Sequence, residues 1–383
     1  MKHVLSNRLI WPALVLVALL LANLAFNHSF FNIRLQNGNL FGPLVDILRN
    51  AAPVVLVALG MTLVIATRGI DLSVGAVAAI SGSWASMHII SSGDPSSVRV
   101  VLTAVGVALL MALVAGAWNG FLVSVLGIQP IVATLVLMTA GRGLAQIITS
   151  EKILYPDNSP AYKLIGGGYL LAVPFSILLA GIIFGLTAIL TRRTALGTLI
   201  EAVGVNPEAS RLAGIRSRSI IWIVYLFAGL LAGLAGLMLT SNSTSADPNS
   251  IGLFIELDAI LAVVIGGTSL AGGRFSLAGT LIGAFIIEAM NTFVIQAISA
   301  RATDVFKACV VIAVMILQSP QARAMVTGAF RGRKRAVVVP AGSVVSPGSA
   351  AISAPAPATP DTADGHTAAT SDSILTKSSG TTS

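Results

Sequence analysis

The sequence predicts an all-α integral membrane protein of about ten transmembrane helices with a diverged internal repeat. Of its 383 residues, 55% are hydrophobic and only 10% are charged, whereas a soluble domain carries about 25% charged residues. A surface so poor in charge must face lipid rather than water. The chain also contains repeated apolar stretches of about 20 residues, which is the length that crosses about 30 Å of hydrocarbon.

Ten stretches meet this length and apolarity. They cover residues 9–28, 50–67, 72–91, 99–126, 130–149, 172–191, 219–240, 256–271, 276–298 and 303–319. The first follows Lys2 and Arg8, as a secretory signal would. Its apolar run is longer than a usual signal core, however, and no A-x-A cleavage triplet follows, so we expect a retained span.

An even number of spans places both termini on one side, and the basic residues indicate which side this is. Lys and Arg concentrate on the amino-terminal side, for example at Arg192, Arg193 and the cluster at 331–335. Positive residues mark cytoplasmic loops, so both termini are expected in the cytoplasm. The same signal, together with anionic lipid, accounts for the net charge of +8 without nucleic-acid binding.

The expected domain organisation has three parts. Residues 1–8 form a cytoplasmic amino terminus, residues 9–320 form the transmembrane domain, and residues 321–383 form a basic segment with an Ala, Pro, Ser and Thr-rich tail. The composition of that tail predicts disorder, because it contains almost no large apolar residues to bury.

Two glycine-rich polar stretches interrupt the apolar pattern at comparable places in the two halves, at residues 67–75 and 266–274. Their matching positions favour an internal repeat. Such stretches are either broken helices that line a transport pathway, as in many transporters, or tight turns between two spans. The sequence leaves both alternatives open.

Polar side chains at membrane depth are costly and therefore indicate function. The candidates for a solute pathway are Asp71, Asn119, Glu288 and Asn291. Arg142, Asp258 and Lys307 are explained equally well by internal pairing or by reaching for the membrane interface.

The sequence contains no signature of an enzyme or of a metal site. It has no G-x-x-x-x-G-K-[ST] phosphate loop, no H-E-x-x-H and no G-x-S-x-G, and its one cysteine, Cys309, cannot form an intrachain disulfide. We therefore expect no catalytic residue and no cofactor. If ATP powers transport, another polypeptide must hydrolyse it.

One long polar segment, residues 191–219, is expected on the cytoplasmic side. Asn206 can cap a helix that begins at Pro207, and Gly214 stands where such a helix would end. This pattern predicts a helix of about two turns outside the membrane.

At this segment the sequence resembles a known family. The pattern Glu-Ala-x-Gly-x-Asn-x-x-Ala-x-x-x-Ala-Gly-Ile over residues 201–215 resembles the cytoplasmic coupling loop of ribose-type ABC permeases, although the family often has alanine at Ser210. Residues 69–75, 141–143 and 266–273 resemble further motifs, and the match covers nearly all of residues 10–320. Residues 38–48 and 256–264 look most like permeases of galactofuranose importers. Close relatives carry ribose, other sugars and cyclitols.

The resemblance implies a type II-like importer of the bacterial inner membrane. Its partners would be a cytoplasmic ATP-binding subunit, a periplasmic sugar-binding protein and a second permease chain, identical or not. The coupling loop, residues 192–218, would contact the ATPase. The residues that the resemblance assigns to coupling are Glu201, Ala202, Gly204, Asn206, Ala209 and Gly214.

Three other functions fit the composition. A secondary transporter driven by an ion gradient would need acidic residues near the midplane, where only Asp71 and Glu288 qualify. A permease for a non-sugar solute, such as a branched-chain amino acid, would need partners for a zwitterion. An intramembrane enzyme would need clustered His, Asp or Ser motifs, which the spans lack.

Overall fold

The computed structural model describes residues 9–297 and the isolated positions 305, 308, 309 and 312. Helices dominate this part of the chain, with two short antiparallel hairpins between them. The elements are α1 (Ile10–Phe26), β1 (Arg34–Gln36), β2 (Asn39–Phe41), α2 (Pro43–Ala66), α3 (Val74–Ile90), α4 (Val98–Ser124), α5 (Pro130–Thr149), α6 (Pro160–Gly166), β3 (Tyr169–Leu170), β4 (Val173–Pro174), α7 (Phe175–Arg193), α8 (Leu196–Val205), α9 (Pro207–Leu212), α10 (Ser217–Ser243), α11 (Ile255–Ile265) and α12 (Leu277–Ala297). Strand β1 pairs with β2, and β3 with β4.

Six helices in the described part are long and apolar enough to cross a membrane, namely α2, α4, α5, α7, α10 and α12. Helices α1 and α3 are also apolar, but each has only 17 residues. The prediction of an all-α membrane protein is confirmed at this level. The count of ten spans stays a prediction, and its last member, 303–319, falls almost wholly outside the described residues.

Helices α2 and α10 form the centre of the bundle. Helix α10 packs against α2, α3 and α4, and α2 packs against α7, α11 and α12. Helix α2 is apolar on all sides, which is typical of a fully surrounded helix, and an 18-residue window of it is 83% buried. Between α2 and α12, the hydroxyls of Thr62 and Thr280 lie 2.8 Å apart and share a hydrogen bond.

Both glycine-rich interruptions are turns between helices. Residues 67–73 join α2 to α3, and residues 266–276 join α11 to α12. The alternative of a helix broken at these two places is therefore wrong. The eighth predicted span, 256–271, is corrected as well, because α11 has only 11 residues and the chain turns at Gly266.

The deep irregular segment lies before α11, at residues 244–254. Gly252 is buried against Ala78 of α3, and Gly236, inside α10, packs against the same residue. Helix α10 continues for seven residues beyond Gly236 before it ends at Ser243, a rise of about 10 Å. The chain therefore turns back into the bundle by about that depth, and α11 begins inside it. We call residues 244–254 the re-entrant segment.

Candidate functional site

The polar segment 191–219 folds into the two short helices α8 and α9. The side-chain oxygen of Asn206 accepts hydrogen bonds from the backbone N–H groups of Glu208 and Ala209, at 3.1 and 3.0 Å. Gly214 has φ +85°, a value that favours glycine, and lies just beyond the end of α9. The predicted short helix, with its cap and its stop, is confirmed. Helix α8 was not predicted.

Helix α9 exposes most of its surface. Leu212, its last residue, is 84% exposed, and Glu208 forms an exposed ion pair with Arg211 at 3.6 Å. Ser210 is buried, and the Ser217 hydroxyl donates to the carbonyl of Pro207 at 3.0 Å, which ties the segment to the start of α10. The exposed side of α9 is therefore accessible to a partner.

At the other end of the α8–α9 segment, the backbone of α8 packs directly against the backbone at the end of α2. A Cβ added to Gly204 of α8 would overlap the carbonyl oxygen of Ala66, the last residue of α2. That same carbonyl accepts a hydrogen bond from the N–H of Gly273, at 2.9 Å. The Arg68 guanidinium donates to the carbonyl of Val205, at the end of α8. The two glycine-rich turns thus meet at α8, and we call this contact the coupling junction.

Asp71 and Asn119, two predicted pathway residues, lie in one buried cluster behind this junction. One carboxylate oxygen of Asp71 accepts from the backbone N–H and the hydroxyl of Ser73, at 2.9 and 2.6 Å. The Asn119 amide donates to the Ser73 hydroxyl at 2.8 Å and approaches the same Asp71 oxygen at 3.5 Å. The cluster links the α2–α3 turn to α4.

Glu288 and Asn291, the other two predicted pathway residues, line a cavity of about 300 Å³ between α2, α10, α11 and α12. The Asn291 amide donates to the Glu288 carboxylate at 3.2 Å. The cavity is lined by Asn50, Pro53, Val54, Leu239, Asn242, Ser250, Gly252, Leu253, Ile255, Asp258, Glu288 and Asn291. We call it the polar cavity.

The four predicted pathway residues therefore form two separate groups. Pro53 borders the polar cavity, whereas the Asp71 cluster follows the end of α2 at Ala66. Thirteen residues of helix separate Pro53 from Ala66, a distance of about 20 Å. The structure brings Glu288 to Asn291 and Asp71 to Asn119, but it does not bring all four together.

Several polar residues of the cavity were missed by sequence reasoning. The Asn242 amide donates to the side chain of Asn50 at 3.1 Å, and Ser250 lies on the re-entrant segment. Asn50 stands at the edge of a predicted span, and residues 241–250 read as an ordinary polar loop. The proline within α2 was a usable signal, because Pro53 cannot donate a backbone hydrogen bond to the preceding turn.

Comparison with known proteins decides the family. Residues 44–317 match the family described as "Branched-chain amino acid transport system / permease component". The chain belongs to this permease family. No solved structure matches it.

Three of the similar curated proteins are sugar permeases. The galactofuranose transporter permease protein YtfT of Escherichia coli (strain K12) is 46% identical over 331 residues, which cover 84% of this chain and 94% of that protein. The fructose import permease protein FruF of Bifidobacterium longum is 41% identical and covers 90% of this chain and 96% of its own length. The ribose import permease protein RbsC of Escherichia coli (strain K12) is 39% identical over 282 residues, 73% of this chain and 82% of that protein. The resemblance to ribose-type permeases is thus confirmed.

Membership fixes the general role of the chain. A permease component of such a transport system acts in the membrane, together with an ATP-binding subunit and a substrate-binding protein. The described residues contain no group of three or more His, Cys, Asp or Glu side chains that could hold a metal ion.

Proposed function

We propose that this chain is the permease subunit of an ATP-driven importer that carries a monosaccharide, galactofuranose-like or another sugar such as ribose, across the bacterial inner membrane. The observation that carries the proposal is the similarity to YtfT, which extends over 94% of that protein. In this assembly the permease provides the route, and a separate subunit hydrolyses ATP.

The proposed assembly contains two permease chains, identical or different, with a cytoplasmic ATPase and a periplasmic sugar-binding protein. Each chain has a type II-like arrangement of about ten membrane segments within residues 9–320, of which the eighth, α11, crosses only part of the membrane, and both of its termini are cytoplasmic. Helix α9 enters a cleft of the ATPase with Leu212 at its tip. Because Gly204 fits α8 tightly against the ends of two spans, a displacement of α9 is passed to the bundle as rigid-body motion.

The proposed sugar route passes through the polar cavity. Its volume falls at the small end of the about 300–1,000 Å³ that is usual for small-molecule sites. Asparagine amides both donate and accept hydrogen bonds, and carboxylates accept them, which suits the hydroxyl groups of a sugar. On this proposal Glu288 and Asn291 contact the sugar, and Asp71 and Asn119 lie further along, towards the ATPase.

Two alternatives remain, one with a different solute and one with a different energy source. The family description favours an amino-acid permease, but the titratable residues that line the polar cavity, Asp258 and Glu288, are both acidic. These acids would attract the ammonium group of an amino acid, but the described residues of the lining include no basic side chain to bind its carboxylate, and a neutral sugar needs none. A secondary transporter would need no ATPase partner.

The proposal is tested by uptake of radiolabelled galactofuranose, fructose and ribose into cells that carry the complete operon, with this gene present or deleted. We expect loss of uptake of one of these sugars on deletion, and the same loss when the ATPase subunit is inactivated. Uptake that stops only when the ion gradient is collapsed would identify a secondary transporter. Unchanged uptake of every sugar, with loss of leucine uptake, would identify an amino-acid permease.

A further inference from the structure

Arg142, in the middle of α5, is bonded to the backbone of a distant segment. Its Nη1 donates to the carbonyl oxygen of Ile251 at 2.5 Å and to that of Pro248 at 3.2 Å. Both carbonyls belong to the re-entrant segment, more than 100 residues further along the chain. Pro248 and Ile251 are buried, and the buried carbonyls of a non-helical segment in a membrane protein need protein donors in place of water.

Neighbouring contacts hold the same segment to the same helix. One turn after Arg142, the Gln146 amide donates to the side-chain oxygen of Asn249 at 2.8 Å. The backbone N–H of Asn249 in turn donates to the carboxylate of Asp247 at 3.0 Å, which closes a local turn. The re-entrant segment therefore follows α5 over one helical turn.

The guanidinium of Arg142 also faces a buried acid at the start of α11. A Cβ added to Gly75 of α3 would overlap Oε2 of Glu256 and would lie 3.5 Å from Nη2 of Arg142. Glu256 is 3% exposed, and it is attracted by the positive charge of Arg142. Because Gly75 has no side chain, the guanidinium of Arg142 and the carboxylate of Glu256, in the first turn of α11, can both approach this position of α3.

The residues next to these bonded groups line the polar cavity. Ser250, Gly252 and Leu253 of the re-entrant segment, and Asp258 of the first turns of α11, are part of its wall. Arg142 itself is not part of the wall. In the re-entrant segment, therefore, two backbone carbonyls accept hydrogen bonds from Arg142, and the neighbouring residues line the polar cavity.

From this geometry we propose that Arg142 is a positioning residue for sugar passage: it holds the re-entrant segment and the start of α11 where they form one wall of the polar cavity. The inference rests on the proposed function in that the cavity is taken as the sugar route. A guanidinium suits this task because its planar fork can hold two carbonyls at once while its charge faces Glu256. A lysine ammonium is a single compact charge on a flexible stem.

The first test compares Arg142→Met with Arg142→Lys and with Thr139→Ala as the matched control on the same helix, at an exposed position whose hydroxyl donates only to the carbonyl of Leu135 within α5. We expect Arg142→Met to reduce sugar uptake about tenfold or more at normal membrane abundance, with a higher half-saturating concentration of loaded binding protein. Arg142→Lys should recover about a third or more of wild-type uptake, since it keeps the charge and its ammonium has three donors, enough for both carbonyls. Thr139→Ala should change uptake less than about threefold. Wild-type uptake in Arg142→Met would overturn the inference.

The second test measures the position of the segment without any sugar. Cys309 is replaced by serine, and Ile251→Cys, at a position that is 6% exposed, is labelled with a membrane-impermeant maleimide in the assembled transporter. Ser250→Cys, on the cavity wall, serves as the accessible reference. We expect Cys labelling at 251 to become about fivefold faster or more when Arg142→Met is added.

The two tests separate the inference from the proposed function. An unchanged labelling rate at position 251 in Arg142→Met would overturn the positioning role, even if uptake fell. A faster rate supports the positioning role whatever the solute proves to be. If the uptake assays then identified a solute other than a sugar, the proposed function would fail and the role of Arg142 would stand.

Discussion

The carboxyl end and the middle of helix α2 have different surroundings. At Ala66 the helix ends against backbone atoms of Gly204 and Gly273, with no space for a single added methyl group. Near Asn50 and Pro53 it borders a cavity of about 300 Å³, and its neighbours there are polar side chains. One rigid helix therefore joins a tightly packed contact to an open polar space about 20 Å away.

This difference separates two requirements of transport. A tightly packed junction cannot absorb a displacement, so movement on one side must move the other. A cavity with side-chain hydrogen bonds can exchange those bonds for bonds to a solute. We therefore expect substitutions at the coupling junction to impair the coupling of ATP hydrolysis to transport. Substitutions at the polar cavity should impair the binding and passage of the solute.

The largest effect is expected from Gly204→Val. Its side chain would overlap the carbonyl of Ala66 and press on the N–H of Gly273, and overpacking of this kind costs about 1–3 kcal/mol or more. We expect sugar uptake to fall more than about tenfold, together with loss of substrate-stimulated ATP hydrolysis in the reconstituted complex.

Gly106→Val is the matched control for this substitution. Gly106 also lies within a helix, but a Cβ there meets no atom within 4 Å. Its uptake should remain close to that of wild type. Equal losses in the two variants would show that valine in any helix of this protein is harmful, and the comparison between the end and the middle of α2 would lose its support.

A smaller effect is expected from Glu288→Gln in the polar cavity. The substitution keeps the shape and removes the charge, and hydrogen bonds to a charged group stabilise by about 1 kcal/mol more than neutral ones. Uptake should fall about fivefold, measured as initial rate against sugar-loaded binding protein. ATP hydrolysis in the absence of sugar should stay unchanged.

Glu151→Gln, at an exposed position outside the cavity, controls for the loss of one negative charge. It should leave uptake unaffected. If both variants lost uptake equally, net charge rather than contact with the solute would be the cause, and the proposed route through the cavity would be contradicted.

The smallest effect is expected from Asn206→Ala, which removes both capping bonds of α9. Loss of such a cap costs about 1 kcal/mol of helix stability. We expect about two- to fivefold fewer sugar molecules to be imported per ATP hydrolysed, which is measured as a similar reduction in the rate of uptake. Asn206→Asp keeps an acceptor oxygen and should behave as wild type; a defect of equal size in this variant would exclude capping as the reason.

The sequence predicted best those features that depend on neighbouring residues. Apolar runs of sufficient length located α1–α5, α7, α10 and α12 to within a few residues, except that α2 begins at Pro43, well before the predicted start at residue 50. The Asn206-Pro207 pair and Gly214 located α9, because a cap, a first turn and a left-handed stop are local properties.

The re-entrant segment could not be predicted in this way. Residues 241–250 are polar and contain proline, and such a stretch normally lies outside the membrane. It turns inward here because Arg142, on another helix, supplies donors for its carbonyls. That pairing is long-range and leaves no periodic signal. For the same reason, the sequence grouped Asp71 with Glu288, although Asp71 follows the end of α2 and Glu288 lies beside its middle.

The exposed Leu212 has a consequence for the life of the protein in the cell. A permease chain without its ATPase would have this 84% exposed leucine uncovered and would lack the stabilisation that a partner gives by binding only the folded chain, so more of it would be open to chaperones and proteases. Surplus chains should therefore be removed, and the cellular level of the permease should follow the supply of its ATP-hydrolysing partner.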